Sequence, residues 1–354
     1  MSEEHKITAV QSMSSGRSLK ELAMHLGLSQ TTVSRVMNNS GDTHRISAAT
    51  QQRVLAAATE MNYKASPLAR GLRSRRSQTI GVMVPEISGG YSASVLSGIE
   101  DVLLLSGFFY FVVSHHHRVE LLRDYPTLLL SRAVEGIIAV DSALDAELPV
   151  PIVAVSGHLR IPSILNIELD HNLAARFALE HLHRLGHRQI ALIKGQSFSS
   201  DTQVRWQSIV KVSAELGIYI DPRLVVALEG DDPTLEPGRV ATHKLLATRS
   251  PFTAIFTFND LSAMGAIVAL REAGLDVPTQ VSVVGFDDVM GASTNNPPLT
   301  TVHQPLQEMG RAAATALLQR IRNQRAAAEP PPAMSNSILV LPTFVERKST
   351  ASAP

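Results

Sequence analysis

Residues 18–38 read SLKELAMHLGLSQTTVSRVMN, and this stretch decides what the front of the chain is. Ser18 can cap a helix whose Leu19, Leu22, Ala23 and Leu26 recur at i, i+3, i+4 and i+7, and Gly27 supplies a C-terminal stop. Leu28 then serves as a buried turn residue. Ser29 can cap a second helix to about Asn38, with Val33, Val36 and Met37 as its inner stripe. Two short amphipathic helices around so brief a turn form a helix-turn-helix. The outer face of the second carries Gln30, Thr31, Ser34 and Arg35, side chains able to meet base edges and phosphates in a major groove. An ordinary helical hairpin with a polar outer face would show the same pattern. A third helix, capped by Ser47 and running through Val54, Ala58 and Met61, would complete a small core.

Charge supports the nucleic-acid reading without proving it. The chain is neutral overall, but residues 1–79 hold 11 Lys/Arg against 5 Asp/Glu and the remainder 21 against 27, so the head is +6 and the body −6. A basic segment on a mildly acidic body suits a phosphate-neutralising module beside one that need not bind phosphate. An acidic membrane or protein could also attract it. Residues 66–76, SPLARGLRSRR, place a Ser cap and a first-turn Pro before a stretch too short to be helical alone. Such a segment folds on a partner, or is a basic interdomain linker.

From Thr79 onward β-rich runs alternate with helical stretches, as in parallel sheets wrapped by helices. TIGVMVP (79–85), GFFYFVV (107–113), VEGIIAV (134–140) and PIVAV (151–155) supply a first half; RQIALIKG (188–195), RLVVAL (223–228), FTAIFTF (252–258) and VSVVGFDD (281–288) supply a second. In open α/β sheets ligands bind beyond the strand C-termini. Ser156, Ser197 to Thr202, Asn259, Asp260, Asp287 and Asp288 therefore come first as candidates. Consecutive His115, His116 and His117 point in different directions with no carboxylate at ligand spacing, so a solvated loop is expected and no metal.

At 354 residues and 44% apolar content the chain can fill two or three cores. It has no cysteine, which excludes disulfides, thiolate metal sites and cysteine nucleophiles. No run of about 18 uncharged apolar residues and no signal-peptide pattern is present, so a cytoplasmic protein is expected. No Walker loop, G-x-S-x-G elbow or dinucleotide glycine fingerprint appears where a strand meets a helix, so neither catalysis nor a cofactor is expected.

The 18–38 stretch, followed by RIS (45–47), Thr50, Arg53, Val54 and MNYKASPLARGLRSRRSQTIGVMVP (61–85), resembles the head of the LacI/GalR family of transcriptional regulators. The likeness continues through RLGHRQIALIKG (184–195), TAIFTFNDLSAMGA (253–266), GLDVPTQVSVVGFDD (274–288), PPLTTVHQPLQEMG (297–310) and LPTFVERKST (341–350). It implies an all-α helix-turn-helix head and an α/β sensor body of two doubly wound parallel-sheet subdomains, like a periplasmic sugar-binding protein, with the effector in the cleft. The implied layout is an arm at 1–17, expected to be disordered, a DNA-binding domain at 18–65 and a hinge at 66–78. One sensor subdomain follows from 79–168 plus 305–330 and the other from 169–304 plus 337–348.

The resemblance assigns DNA contact to Ser29, Gln30, Thr31, Thr32, Ser34, Arg35 and Asn38. Gln30, Thr31 and Arg35 fall at base edges, and Thr32, Ser34 and Asn38 nearer the backbone. In the hinge it places Leu72 as a minor-groove wedge that bends the duplex, with Ala69 and Arg70 beside it. For the effector it matches Arg205, Asn259 and Asp287 to ligand residues and Tyr91, Ser92, Ser156 and Asp201 to pocket-lining positions. Bland readings stand beside these, since an Asp pair can simply cap a strand end and an Arg can be solvated at the surface.

Some residues depart from the family pattern. The 38–46 turn is about three residues longer, Gln51 stands where Arg is frequent, and some fifteen extra residues precede Ser18. Trp206, Gln207 and Ser208 weaken the motif around Arg205. Gly89 to Ser92 replaces an Asn-Pro-aromatic-aromatic run, which removes one aromatic wall. The functional expectation is a repressor controlled by a small polar metabolite such as a sugar or sugar acid, acting as a homodimer on a palindromic operator; the alternative is a sugar-binding protein without regulatory role. Only ASAP follows LPTFVERKST, so no tetramer-forming heptad segment is expected.

Overall fold

The computed structural model describes residues 18–37, 45–63, 76–142, 144, 147–158, 161–326 and 337–354. The chain divides into a unit Met1–Ser77 and a unit Gln78–Pro354. The arm at 1–17, Asn38 and the longer turn, and Ala69, Arg70 and Leu72 of the hinge lie outside the described residues.

In the first unit, α1 (Leu19–Leu26) starts in a capping box in which Ser18 and Glu21 each bond the other's backbone N–H. It stops at Gly27, whose φ of 65° takes the left-handed form open to glycine. Ser29 caps α2 (Gln30–Met37) through Thr32 N–H at 3.1 Å. Ser47 caps α3 (Ala48–Glu60) through Thr50 N–H at 3.3 Å. Leu22, Ala23, Val33, Val36, Val54, Ala57 and Ala58 form the common core, with Leu28, Met37 and Met61 packed against it.

The second unit holds two six-stranded sheets. The first orders its strands β11 (Ser337–Val340), β5 (Ile164–Leu169), β4 (Ile152–Val155), β3 (Ile137–Val140), β1 (Thr79–Val84) and β2 (Phe109–Ser114), all parallel. The second orders β12 (Thr343–Val345), β10 (Thr300–His303), β9 (Ser282–Asp287), β8 (Ala254–Phe256), β6 (Ile190–Lys194) and β7 (Val225–Ala227), with only the β12 edge antiparallel. Strands β1, β3, β4 and β5 are buried throughout, which explains the unbroken apolar runs of β1, β3 and β4. Edge strand β2 instead exposes Phe109 and Phe111.

Helices α4 (Gly90–Leu105) and α11 (Leu306–Ala326) cover the first sheet and press together so closely that a Cβ on Gly98 would lie 1.9 Å from the Gln307 carbonyl oxygen. Helices α5 (Val119–Ser131), α6 (His171–Arg184), α7 (Asp201–Glu215), α8 (Glu236–Ala247), α9 (Asp260–Glu272) and the short α10 (Met290–Thr294) complete the layers.

The chain passes between the lobes three times, after Leu169, after His303 and after Val340. One subdomain boundary differs from the sequence reading. Residues 337–340, expected in the second subdomain with the rest of 337–348, pair with Asn166 to Leu169 in the first sheet, and the change of lobe falls between β11 and β12. A four-residue strand whose partner lies some 170 residues earlier carries no local sign of its sheet.

Candidate functional site

On α2, Gln30, Thr31 and Arg35 are exposed and Thr32 is half-buried beside the Ser29 cap, its hydroxyl 2.9 Å from that of Ser29. Ser34 does not join them on the outer face, being only 7% exposed. One residue from Val33 and three from Met37, it flanks the apolar stripe. Gln51 turns its amide inward to the Ile46 carbonyl at 2.8 Å.

In the body, a cavity of about 1080 Å³, open solvent included, lies between the lobes at the C-terminal ends of both sheets. It is lined by six of the seven expected ligand residues: Tyr91, Ser92, Asp201, Arg205, Asn259 and Asp287. The seventh, Ser156, stands directly behind, accepting a hydrogen bond from Tyr91 Oη at 3.1 Å. Local structure explains their convergence. Asp201 opens α7 and Arg205 stands one turn on; Asn259 caps α9 through Ser262 N–H at 2.9 Å. Asp287 ends β9 with φ 104°, and Asp141 and Ser156, just past β3 and β4, sit at φ 41° and 56°. Left-handed backbone at non-glycine residues costs roughly 1–3 kcal/mol each, and its clustering at strand ends is typical of binding sites.

Arg205 is the hub. Its Nη2 donates to Asp201 Oδ2 at 3.2 Å, its Nη1 donates to the Phe258 carbonyl, and its plane lies between the rings of Phe258 at 4.4 Å and Phe286 at 3.6 Å. Packed thus it is buried, not solvated. Asp201 is further held by His158 Nε2 at 2.5 Å and His171 Nε2 at 3.3 Å. Burial pushes the Asp201 carboxyl up, but His171, His158 and Arg205 outweigh it and leave its pKa well below the usual range. The three side chains would also suit a metal by type. However, two ligand atoms 2.5 Å apart are at hydrogen-bond distance, whereas ~2.0 Å metal arms at a tetrahedral angle set them ~3.3 Å apart. Asp287 has the opposite character: burial raises its carboxyl well above the usual range, only partly opposed by Arg205, and its Oδ1 has no partner.

Asp141 is a site residue that sequence reasoning missed, although it follows strand β3 as Ser156 follows β4. It accepts from Ser200 N–H at 2.9 Å, Ser200 Oγ at 2.6 Å and Ser199 Oγ at 3.2 Å, tying the first lobe to the second. Burial and then the charge of Asp201 raise its pKa to about 6. His158, also missed, bridges the same gap, as does Phe198 of the expected 197–202 stretch, stacked at 3.9 Å on His117. Phe198 and Phe258 thus furnish aromatic cleft surface beside Tyr91, the one aromatic of the Gly89 to Ser92 run.

Two expected polar groups face elsewhere. Asp260, fully buried, accepts from Thr301 Oγ1 at 2.6 Å and Val289 N–H at 2.8 Å. Asp288 pairs with Arg347 at 2.6 Å and His303 at 3.0 Å. The histidine run does lie in a turn, but His115 is not solvated: it is fully buried, with Nε2 2.7 Å from Ser142 Oγ and Nδ1 accepting from His117 N–H. Burial, then the charges of His117 and His116, lower its pKa to about 4, so the ring is neutral at pH 7.

Residues 18–66 match the model of the bacterial regulatory proteins of the lacI family, and residues 179–350 match the periplasmic binding protein-like domain. The HTH-type transcriptional repressor PurR of Erwinia tasmaniensis is 32% identical over 350 residues, 95% of this chain and 97% of that protein. That of Photobacterium profundum is 31% identical over 314 residues, 86% and 92% respectively. Among solved structures, the lac repressor dimer bound to operator and the anti-inducer ONPF superposes with a TM-score of 0.83 at 29% identity, over 95% of this chain and 99% of that one. The transcriptional regulator CelR–cellobiose complex gives 0.67 at 27%, over 94% and 99%.

The chain belongs to the LacI family of bacterial regulatory proteins. It is a transcription repressor that joins a DNA-binding helix-turn-helix to a ligand-binding, periplasmic-binding-protein-like body. No helix among the described residues is long and apolar enough to cross a membrane.

Proposed function

We propose that the protein works in the cytoplasm as a homodimer on a palindromic operator, without catalysis, and that a small sugar-type metabolite bound between the lobes sets its affinity for DNA. The observation that carries this is the cleft itself. Ser92 Oγ, Arg205 Nε and Asp287 Oδ1 are buried polar atoms with no partner, gathered on one cavity. Such atoms are costly unless a ligand or ordered water completes them. A cellobiose complex and a ribose complex among the structural relatives support the sugar class.

Tyr91, Ser92, Ser156, Asp201, Arg205, Asn259 and Asp287 form the effector site, Asp201 and Ser156 by holding the others in place. Gln30, Thr31 and Arg35 read base edges, and Ser29, Thr32 and Asn38 meet the backbone. The hinge residues Ala69, Arg70 and Leu72 enter the minor groove.

An apolar face supports the dimer. Leu105 at the end of α4 is 92% exposed and Leu104 62%, beside Phe109 and Phe111 on edge strand β2. Large exposed apolar side chains on a sheet edge mark an association surface.

Selection of duplexes from a random pool by the full chain, repeated with a sugar mixture, tests the reading. Enrichment of a two-fold symmetric sequence that the mixture alters is expected. Recovery of unrelated sequences, or of an asymmetric site unaffected by any sugar, would count against it.

A further inference from the structure

The effector cleft contains an arginine, and an arginine in a binding site suggests an anionic ligand. The arrangement around Arg205 points the other way. A guanidinium grips a carboxylate or phosphate with two parallel N–H groups. Here one terminal nitrogen donates to the Phe258 carbonyl and the other to Asp201, and both faces are covered by the Phe258 and Phe286 rings. Nε is the one nitrogen of the group left buried without a partner. Its positive charge is matched by Asp201, which His158 and His171 hold in place.

The rest of the cavity is acidic. Besides Asp201, its walls carry Asp141, Asp287, Glu86, Asp231 and Asp232, six carboxyl groups to a single guanidinium. The remaining orphans are an uncharged hydroxyl, Ser92 Oγ, and a carboxyl oxygen, Asp287 Oδ1. Together with Arg205 Nε they offer single hydrogen-bonding groups, which hydroxyls, each both donor and acceptor, can complete, and no parallel N–H pair for a carboxylate. An anion would lose its hydration in a negative field with no free fork to receive it.

We infer that the cleft takes a non-anionic polyhydroxyl ligand and rejects its acid and phosphate forms, and that Asp201 determines this by occupying Arg205. The inference rests on the sugar reading above and deepens it, choosing neutral sugars over sugar acids. Asp201 acts through Arg205 as a specificity-setting residue; the ligand's own hydroxyls meet Asp287 and Ser92.

The test uses the full chain and a panel of matched probes: glucose, galactose, mannose and ribose, the 2-amino hexoses, the hexuronates and ribose 5-phosphate. Thermal shift is followed by calorimetry on the hits. A neutral or amino sugar is expected to bind, with its uronate or phosphate about 100- to 1000-fold weaker, the scale of one uncompensated charge pair about 4 Å apart near a protein surface. Asp201→Asn, checked for folding by circular dichroism, is expected to cut that discrimination at least tenfold, because it frees the arginine edge and removes a wall charge. A general loosening of the site would weaken both members of a pair alike, so the ratio separates specificity from structure.

A uronate or phosphate binding wild type as tightly as its neutral parent would overturn the inference and leave the sugar reading standing. Binding by no member of the panel would instead strike the sugar reading, and the inference with it. Unchanged discrimination in a folded D201N would remove Asp201 from the mechanism. The wild-type panel alone decides the sign of the charge preference, even if D201N does not fold.

Discussion

Asp287 and Asp201 are two carboxyls of one cleft held in opposite states by their surroundings. Asp201 is ionised by three cationic or donor neighbours, whereas Asp287 is buried with one oxygen unsatisfied. Replacing Asp287 by Ala removes a buried carboxyl whose Oδ1 has no protein partner, so effector response is expected to vanish while the thermal midpoint stays level or rises; retention of full response would take Asp287 out of the site. Asp141 yields a pH prediction. Its ordinary value of 3.8 is raised to about 6, so the native state favours the protonated form. That contribution to stability is complete below about pH 4 and is lost as pH rises through about 6. Asp141→Asn is therefore expected to raise the melting temperature relative to wild type at pH 7.5 and to lose that advantage at pH 4. An advantage that grows on acidification would contradict the sign.

Elements, rather than single residues, show what was legible in the sequence. The three helices of the head were readable because their signals are local: Ser18 with Glu21, Gly27, Ser29 and Ser47 all do their capping within four residues. Strands β1, β3 and β4 announced themselves as unbroken apolar runs. Strand β5 did not, because Asn166 and Glu168 interrupt ILNIEL and are buried through packing from distant parts of the chain. Ser34 looked outward because Val33, Val36 and Met37 alone define a narrow stripe, while the packed face of α2 is wider. His115 finds its partner Ser142 27 residues further on, which no local pattern announces. For the DNA-reading helix, Arg35→Ala is expected to weaken binding to the selected site by about 1–3 kcal/mol and to nonspecific duplex by much less. An equal loss on both would move Arg35 from the bases to the phosphates. Within the head, Leu22→Ala empties the centre of a core only seven buried side chains wide and is expected to cost about 2–5 kcal/mol, read as loss of the helical signal of the isolated 18–63 segment or of DNA binding by the full chain.

At the scale of the molecule, the cleft and the symmetric assembly have to be coupled for the protein to regulate. The polar bridges between the lobes, Asp141 to Ser199 and Ser200 and His158 to Asp201, are made only at one separation of the two sheets. A ligand seated among them shifts the balance between that arrangement and others by its differential affinity, typically 1–3 kcal/mol. The exposed Leu104, Leu105, Phe109 and Phe111 face is where two copies would transmit the change. Phe109→Glu is expected to halve the sedimenting mass and to abolish tight operator binding without altering sugar affinity; a persistent dimer would place the interface elsewhere. The coupling itself is tested most directly by anisotropy titration of the full chain on its selected palindrome, with and without a saturating concentration of the panel sugar that binds. A change in operator affinity of about 5- to 150-fold is expected in wild type and none in Asp287→Ala. Equal operator affinity in wild type with the cleft filled and empty would contradict it.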